Sequence, residues 1–421
     1  MSEVFKSKGV RTPWHLRVLY ISTFVLRTAF GALLLLISAY VAGDHGLLNV
    51  AIIAVPYPLA EMATANYFGM VSDRIGRKSI IVFGTALAAI VVAMYAISDN
   101  IWYLATMHGI HGIGAAATVA PAIAMIADHA DSRDRGRQMG WFDYSTFIGY
   151  IIGAVVGGFM IDFVDPRAGF LIVAGMLAIS ATMLYTLVKK EPSKTKTGHY
   201  ASLADLKRVF KVREIRLMFP IWLIIATLLG LAITYLPIIL LNEGTSGATI
   251  GIMFAAAGIA LGLLQPFWGK VSDIVGRIPV MAYGVFSIAG IAVMLVFFPN
   301  AAFSQDDAGV HFKLIGMIPL GILGLGAGAF VPAALALMAD SSDAESYGAT
   351  MGLYSFALGF GAFVAESLGL AIIVITGSDS APGWILYFAA VLVALAVVMM
   401  IVFFLSAMLS RRLNKGRADR S

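Results

Sequence analysis

The chain has 421 residues, of which 60% are hydrophobic and only 13% charged, with a net charge of +5 and no cysteine; its mean hydropathy is +0.88. Soluble domains carry about 25% charged residues, so a soluble fold is excluded, as are disulfides, thiol nucleophiles and thiolate metal sites. The basic excess reads as a topological signal of loops on one membrane face, and no nucleic-acid partner is expected.

Apolar runs able to cross a hydrocarbon layer of about 30 Å fall in chain order at 16–42, 48–68, 79–98, 101–127, 139–163, 168–188, 216–241, 247–268, 279–298, 313–339, 347–376 and 383–409. Twelve spans follow. They are expected to be helical, because lipid offers no partner to exposed backbone N–H and C=O groups and the runs lack the alternation of barrel strands. The basic start, 1–17, meets the first run without a small-residue cleavage site, so it reads as retained. Of 29 Lys and Arg, only Arg27 lies inside a span and only Arg167 and Lys313 in loops opposite the ends. That bias predicts cytoplasmic termini and an integral protein of the plasma membrane, with the bilayer as its partner.

The chain repeats itself. Gly69-Met-Val-Ser-Asp73-Arg74-Ile-Gly76-Arg77-Lys78 returns as Gly269-Lys-Val-Ser-Asp273-Ile-Val-Gly276-Arg277, Thr28-Ala-Phe-Gly31 matches Thr227-Leu-Leu-Gly230, and Gly136-Arg-Gln-Met-Gly140 matches Gly348-Ala-Thr-Met-Gly352. With six spans per copy, both copies enter from the same side, the parallel relation about an axis along the membrane normal. The expected division is a six-helix bundle at 1–189, a cytoplasmic linker at 190–215, a second bundle at 216–410 and a basic tail at 411–421. Within the linker, Leu203, Leu206, Val209 and Phe210 recur at helical spacing opposite Asp205, Lys207, Arg208 and Lys211, which predicts a short amphipathic helix on the inner membrane surface.

In the charged loop, Gly69 would let a helix end approach a neighbour's backbone, and Asp73 would set a negative charge beside a helix N-terminus. Gly76 permits a tight turn, and Arg77 is built to reach a carboxylate. Span four ends at Asp128 and span ten at Asp340. The loop between spans two and three, its partial copy between eight and nine, twelve spans and a mid-chain linker together resemble the major facilitator superfamily. That resemblance covers nearly the whole chain. It implies an all-α membrane protein of two six-helix bundles related by a pseudo-two-fold axis, moving a solute by alternating access. It also implies that Arg77 binds Asp128, and Arg277 binds Asp340, as latches on the inner face, with Asp73 and Asp273 facing the opposite bundle. Because Ile274 and Ile278 replace basic residues, the second latch is expected to be the weaker.

Four formally charged residues lie well inside spans: Arg27, Glu61, Asp143 and Glu366. Each costs about 2.5–3.5 kcal/mol to insert, so such groups line a cavity, pair, or move protons. Tyr20, Thr23 and Arg27 share one helical face, Tyr57 and Glu61 another, and Asp143, Phe147 and Tyr150 a third. Arg27 is read either as binding an anionic substrate group or as pairing with Glu61 or Asp143; the carboxylates left over are candidates to carry protons. Ala226 and Leu261 stand at the corresponding positions of the second half.

Glu366 aligns with Ala154 on a span reading Gly149-Tyr-Ile-Ile-Gly153-Ala154-Val-Val-Gly157-Gly158. This string is similar to the fifth-span motif of the drug and proton antiporter branch, with Ala154 in place of its Pro; close helix crossing explains such glycines equally. His108, where the superfamily often has Arg, is read as a proton relay or as a hydrogen-bonded wall residue. With His111 it makes a poor metal site. No cofactor, phosphate-binding glycine loop or enzymatic residue set is found.

The function expected is proton-coupled secondary transport of a small organic solute by a monomer. Efflux of amphipathic drugs and uptake of an organic anion stand as alternatives, and an uncoupled pore or membrane sensor as the other class.

Overall fold

The computed structural model describes residues 12–41, 46–129, 135–188, 210–297, 303–306, 309–341 and 347–418. Among them, twelve helical stretches are long and apolar enough to cross a membrane: Trp14–Tyr40, Gly46–Ala65, Arg77–Ile97, Ile101–Ile126, Gln138–Phe163, Pro166–Leu187, Arg213–Asn242, Gly247–Val275, Arg277–Leu295, Gly316–Met338, Phe356–Thr376 and Ala381–Leu409. They are called spans one to twelve below. The protein is an all-α integral membrane protein with one local exception. Phe303–Asp306 and Gly309–Phe312 form an antiparallel hairpin between spans nine and ten, in the register Phe303↔Phe312 to Asp306↔Gly309. In a sequence dominated by twenty-residue apolar runs, a pair of four-residue strands leaves no comparable signal.

Two spans break where proline meets the run. Span two is the helix Gly46–Ala54 followed by Pro56–Ile75, and span eight is Gly247–Gly262 followed by Gln265–Val275, each second helix opening with proline in its first turn. Proline has no N–H to donate, so it fits a helix start best, although Pro121, Pro220, Pro237 and Pro319 lie inside helices. The amphipathic helix expected at 201–210 lies outside the described residues except for Phe210, which packs against buried residues of span seven and its neighbours. The twelfth helix runs on through Ala418, into the segment read as a tail.

The chain divides into two compact units. One holds 1–40, 52–198 and 247–255; the other holds 41–51, 199–246 and 256–421. In the first unit, span one packs along spans five and six and span four against spans two and three. Toward the end carrying the basic loops, Leu16, Leu19, Ile81, Met125, Ile126 and Leu184 form a buried cluster, where the Tyr20 hydroxyl donates to Gln138 Oε1 at 2.8 Å. The piece 247–255 belongs to this unit for a visible reason. Asp162, at the end of span five, accepts from the Gly247 and Ala248 N–H groups at 2.8 Å each, and a Cβ on Gly158 would meet the Gly247 carbonyl at 2.3 Å. A carboxylate at a helix N-terminus answers both the free N–H groups and the positive end of the dipole. In the second unit, span seven packs along span eleven and Trp222 stacks on Phe330 at 5.3 Å in the core.

At the end of the first unit away from the basic loops, Arg167 reaches both Asp99 oxygens, at 2.9 and 2.8 Å, and the Tyr40 hydroxyl donates to Asp99 Oδ1. The Tyr40 hydrogen bond and the Arg167 guanidinium hold the Asp99 carboxyl below its ordinary range. A lowered carboxyl stabilises the fold above its unfolded value of about 3.9, and the contribution fades as pH falls through the lowered value. The cluster is exposed, so its effect is modest and salt-sensitive. Asp99→Asn should therefore melt below the wild type at pH 7 in low salt, with the gap closing toward pH 3; a gap that persists unchanged at pH 3 would refute the assignment.

Candidate functional site

The embedded charges gather in the first unit around Arg27. Its Nη1 donates to the Tyr150 hydroxyl at 3.0 Å, and the guanidinium lies 5.4 Å from the Tyr150 ring centre. Phe30 sits 5.5 Å from Tyr57 and 5.8 Å, edge-on, from Tyr150, centre to centre. Arg27, Phe30, Tyr57, Glu61 and Tyr150 are each half-buried. Below them, His108 and His111 are buried, at 7% and 3% exposure. His108 Nδ1 shares a 2.8 Å hydrogen bond with the Tyr95 hydroxyl, and the Tyr57 ring lies 5.0 and 5.3 Å from the two imidazoles.

The ion pair offered as one reading of Arg27 is absent among the described residues. Neither Glu61 nor Asp143 lies within 4.0 Å of the guanidinium, and Nε is buried with no hydrogen-bond partner. Tyr150, 123 residues along the chain, takes the partner's place. Asp143 is exposed and forms no ion pair with Arg27, although it shares a helical stripe with Tyr150. Tyr20 likewise leaves the Arg27 group for Gln138. The remaining embedded carboxylate belongs to the second unit, where the Thr234 hydroxyl lies 3.4 Å from Glu366 Oε1 and the Tyr235 hydroxyl donates to the Glu366 carbonyl at 2.8 Å.

Glycines of span five hold Arg27 in place. A Cβ on Gly149 would meet Arg27 Cβ at 2.6 Å and the Phe24 carbonyl at 2.8 Å; one on Gly153 would meet the Thr28 carbonyl at 2.4 Å. The fifth-span string therefore makes a close crossing with span one, the small-residue contact that membrane helices favour.

The charged loops form the same structure twice. Gly76 and Gly276 end their helices at φ 100° and 106°, where only glycine is unstrained. Ser72 and Ser272 donate to the Gly69 and Gly269 carbonyls at 2.7 Å and accept from Arg77 and Arg277 Nη1 at 2.6 and 2.7 Å. Sequence reading passed over both serines, although their spacing to Gly and Arg is the same in each copy. Arg77 Nε meets Asp128 at 3.2 Å and Arg277 Nε meets Asp340 at 2.8 Å. Both pairs form, the second at the shorter distance but with the more exposed aspartate, and Arg277 also bonds Asp273. The close approach expected at Gly69 is also corrected, since a Cβ there would meet nothing within 4 Å. Arg74 is exposed, and the Asp73 side chain lies outside the described residues. Among the described residues no group of three His, Asp or Glu could hold a metal.

Comparison with known proteins bears on the whole chain. The profile of the Major Facilitator Superfamily matches residues 19–304 and 229–420. The quinolone resistance protein NorA of Staphylococcus aureus (strain MSSA476) is 24% identical over 66% of this chain and 73% of its own length; NorA of strain MRSA252 is 27% identical over 44% of this chain and 48% of its own. An uncharacterized MFS-type transporter of Methanocaldococcus jannaschii is 24% identical over 84% of this chain and 92% of its own. Among solved structures, the nucleoside transporter NupG superposes with a TM-score of 0.72 at 13% identity, covering 93% of this chain and 98% of that one. A bacterial homolog of the human lysosomal transporter Spinster gives 0.67 at 16%, covering 94% and 96%. The structural likenesses show the fold.

Overpacking the crossing of spans one and five should displace Arg27. Gly149→Val is expected to cost about 1–3 kcal/mol of stability, seen as a lower melting temperature in detergent, while Gly175→Val, where a Cβ meets nothing within 4 Å, should change it little. Equal melting of the two variants would contradict the crossing as described.

Proposed function

The chain belongs to the major facilitator superfamily, and from that premise we propose that it is a secondary active carrier that moves a small ring-bearing organic anion together with a proton, Arg27 being its anion anchor. One observation carries this reading. Arg27 is a cation with a single hydrogen bond among the described residues, to a neutral Tyr150, and no carboxylate in ion-pair range, on a half-buried patch of three rings. An embedded charge is costly unless something answers it. A substrate carboxylate would accept two N–H bonds from the guanidinium, and its apolar body would lie against Phe30, Tyr57 and Tyr150.

Glu61 supplies the proton linkage. Ionised, it partly neutralises the field of Arg27; protonated, it leaves that field to the incoming anion. Anion and proton then bind best together, and by reciprocity each raises the other's affinity. Such linkage favours co-transport, and an inward proton gradient would drive uptake. The relatives named for quinolone resistance and the glycine-rich fifth span favour a second reading, export of the solute against incoming protons.

The remaining assignments follow the same frame. The halves are 1–189 and 216–410, joined by the linker 190–215 and ending in the basic segment 411–421. The basic loops and both termini face the cytoplasm of a plasma-membrane monomer. Asp73, Arg77 and Asp128, with Asp273, Arg277 and Asp340, stabilise the state closed at that face, with Ser72 and Ser272 as their hinge pins.

Proteoliposome uptake of benzoate, within a panel of aliphatic and aromatic carboxylates, tests the proposal. Arg27→Ala should lose about 1.5–3 kcal/mol of anion binding, raising KM by roughly 10- to 150-fold, and Glu61→Gln should keep exchange while losing acceleration by an inward pH gradient. An unchanged KM in Arg27→Ala would sink the anchor. Acceleration by the opposite gradient would select export.

A further inference from the structure

We infer that a water molecule in a small cavity behind Arg27 joins its Nε to His111, and that His111 thereby positions the guanidinium toward the substrate side. The inference rests on the reading of Arg27 as anion anchor and adds a residue that acts through it.

The cavity lies within the first unit, among spans one, two, three, four and six, and measures about 20 Å³; Arg27, Tyr57, His111 and Thr118 are the polar residues on its wall. Space of about 10–15 Å³ is enough to hold one water, provided polar partners line it. Two such partners are lacking hydrogen bonds, Arg27 Nε and His111 Nδ1, and both are buried. Their chemistry is complementary. Nε–H can only donate, while Nδ1 accepts when the imidazole carries its proton on Nε2. A water that accepts from Nε–H and donates to Nδ1 satisfies both, and its second hydrogen faces the Thr118 hydroxyl. That hydroxyl spends its own proton on the Gly114 carbonyl at 2.7 Å, so its oxygen is left to accept.

His111 is well fixed to receive this bond. Its ring packs 5.7 Å from Phe30 and 5.3 Å, edge-on, from Tyr57. At the next residue a Cβ on Gly112 would meet the Tyr57 carbonyl at 2.2 Å, so spans two and four touch there and set the depth of the imidazole. With its Nε edge tied to His111 and Nη1 to Tyr150, the guanidinium plane is held at two points, leaving its other N–H groups for an anion. A competing site exists on the far side of Arg27: a cavity of about 10 Å³ lined by Ser22, Thr23 and Thr118, with Ser22 Oγ also buried and unpartnered. Its size is at the lower limit for a water, so the larger cavity is assigned.

Benzoate uptake by the full chain in proteoliposomes separates the possibilities. His111→Leu should raise KM about tenfold with kcat within twofold of wild type. His111→Asn, whose carbonyl oxygen can stand where Nδ1 stands, should restore KM, and Ser22→Ala should match wild type. Equal KM values for the Leu and Asn variants, or an effect carried by Ser22→Ala, would overturn the inference. Should His111→Leu not fold, a cryo-EM map of the wild-type protein fine enough to show waters decides it. A peak within hydrogen-bond distance of both Arg27 Nε and His111 Nδ1 supports the inference; no peak, or one bonded to Ser22, overturns it. Arg27→Ala in the same assay keeps the two levels apart. If it leaves KM unchanged the anchor itself fails, whereas a raised KM there beside an unaffected His111→Leu removes only the role of His111.

Discussion

A guanidinium placed between lipid-spanning helices has to be solvated by something other than lipid, and the first unit is arranged around that requirement. Tyr150 gives one hydrogen bond and a ring face to Arg27. Neither supplies a negative charge. The cost of burying a cation falls steeply once a counter-ion is present, and in the proposed function an incoming anion supplies it. An internal salt bridge would have quenched the site; a fully exposed arginine would have bound any anion weakly, against water.

Close packing makes this placement possible. Gly149 and Gly153 bring span five against span one at the level of Arg27, so that Tyr150 reaches the guanidinium. Gly112 brings span four against Tyr57, which carries the buried histidines up to the aromatic patch. Without these contacts the polar groups would sit on separate helices with lipid or void between them. The charged loops work by a different principle, using a positive-φ glycine to turn and a serine to seat an arginine, and the construction recurs in both units. Their ion pairs are exposed and so contribute little to stability, which suits contacts that a transport cycle must make and break.

Much of the architecture was legible because it rests on local or repeated signals. Twenty-residue apolar runs set the spans, and the repeat of Gly69 to Arg77 at Gly269 to Arg277 marked Arg77 and Arg277, which form ion pairs with Asp128 and Asp340. What was not legible depends on distance in sequence. Whether Arg27 met Glu61, Asp143 or neither turns on how helices 123 residues apart cross, and helical periodicity gives a residue's face without its neighbour. Asp143, Phe147 and Tyr150 share a helical face, yet only Tyr150 hydrogen-bonds Arg27, while Asp143 is exposed. Gly69 shows the converse error, since a glycine in a repeated motif suggested crowding where there is open space, and its carbonyl is the part in use. The cap of Asp162 on Gly247 and the cavity beside His111 arise only from packing, and no spacing announces either.

Linkage between proton and anion at Arg27 and Glu61 is the centre of the account, and proton uptake on binding measures it directly. Detergent-purified protein in a weakly buffered solution near neutral pH would be titrated with benzoate while the pH is followed. The account predicts a net uptake approaching one proton per anion bound, abolished in Glu61→Gln with binding retained. Binding without proton uptake, or with proton release, would contradict it.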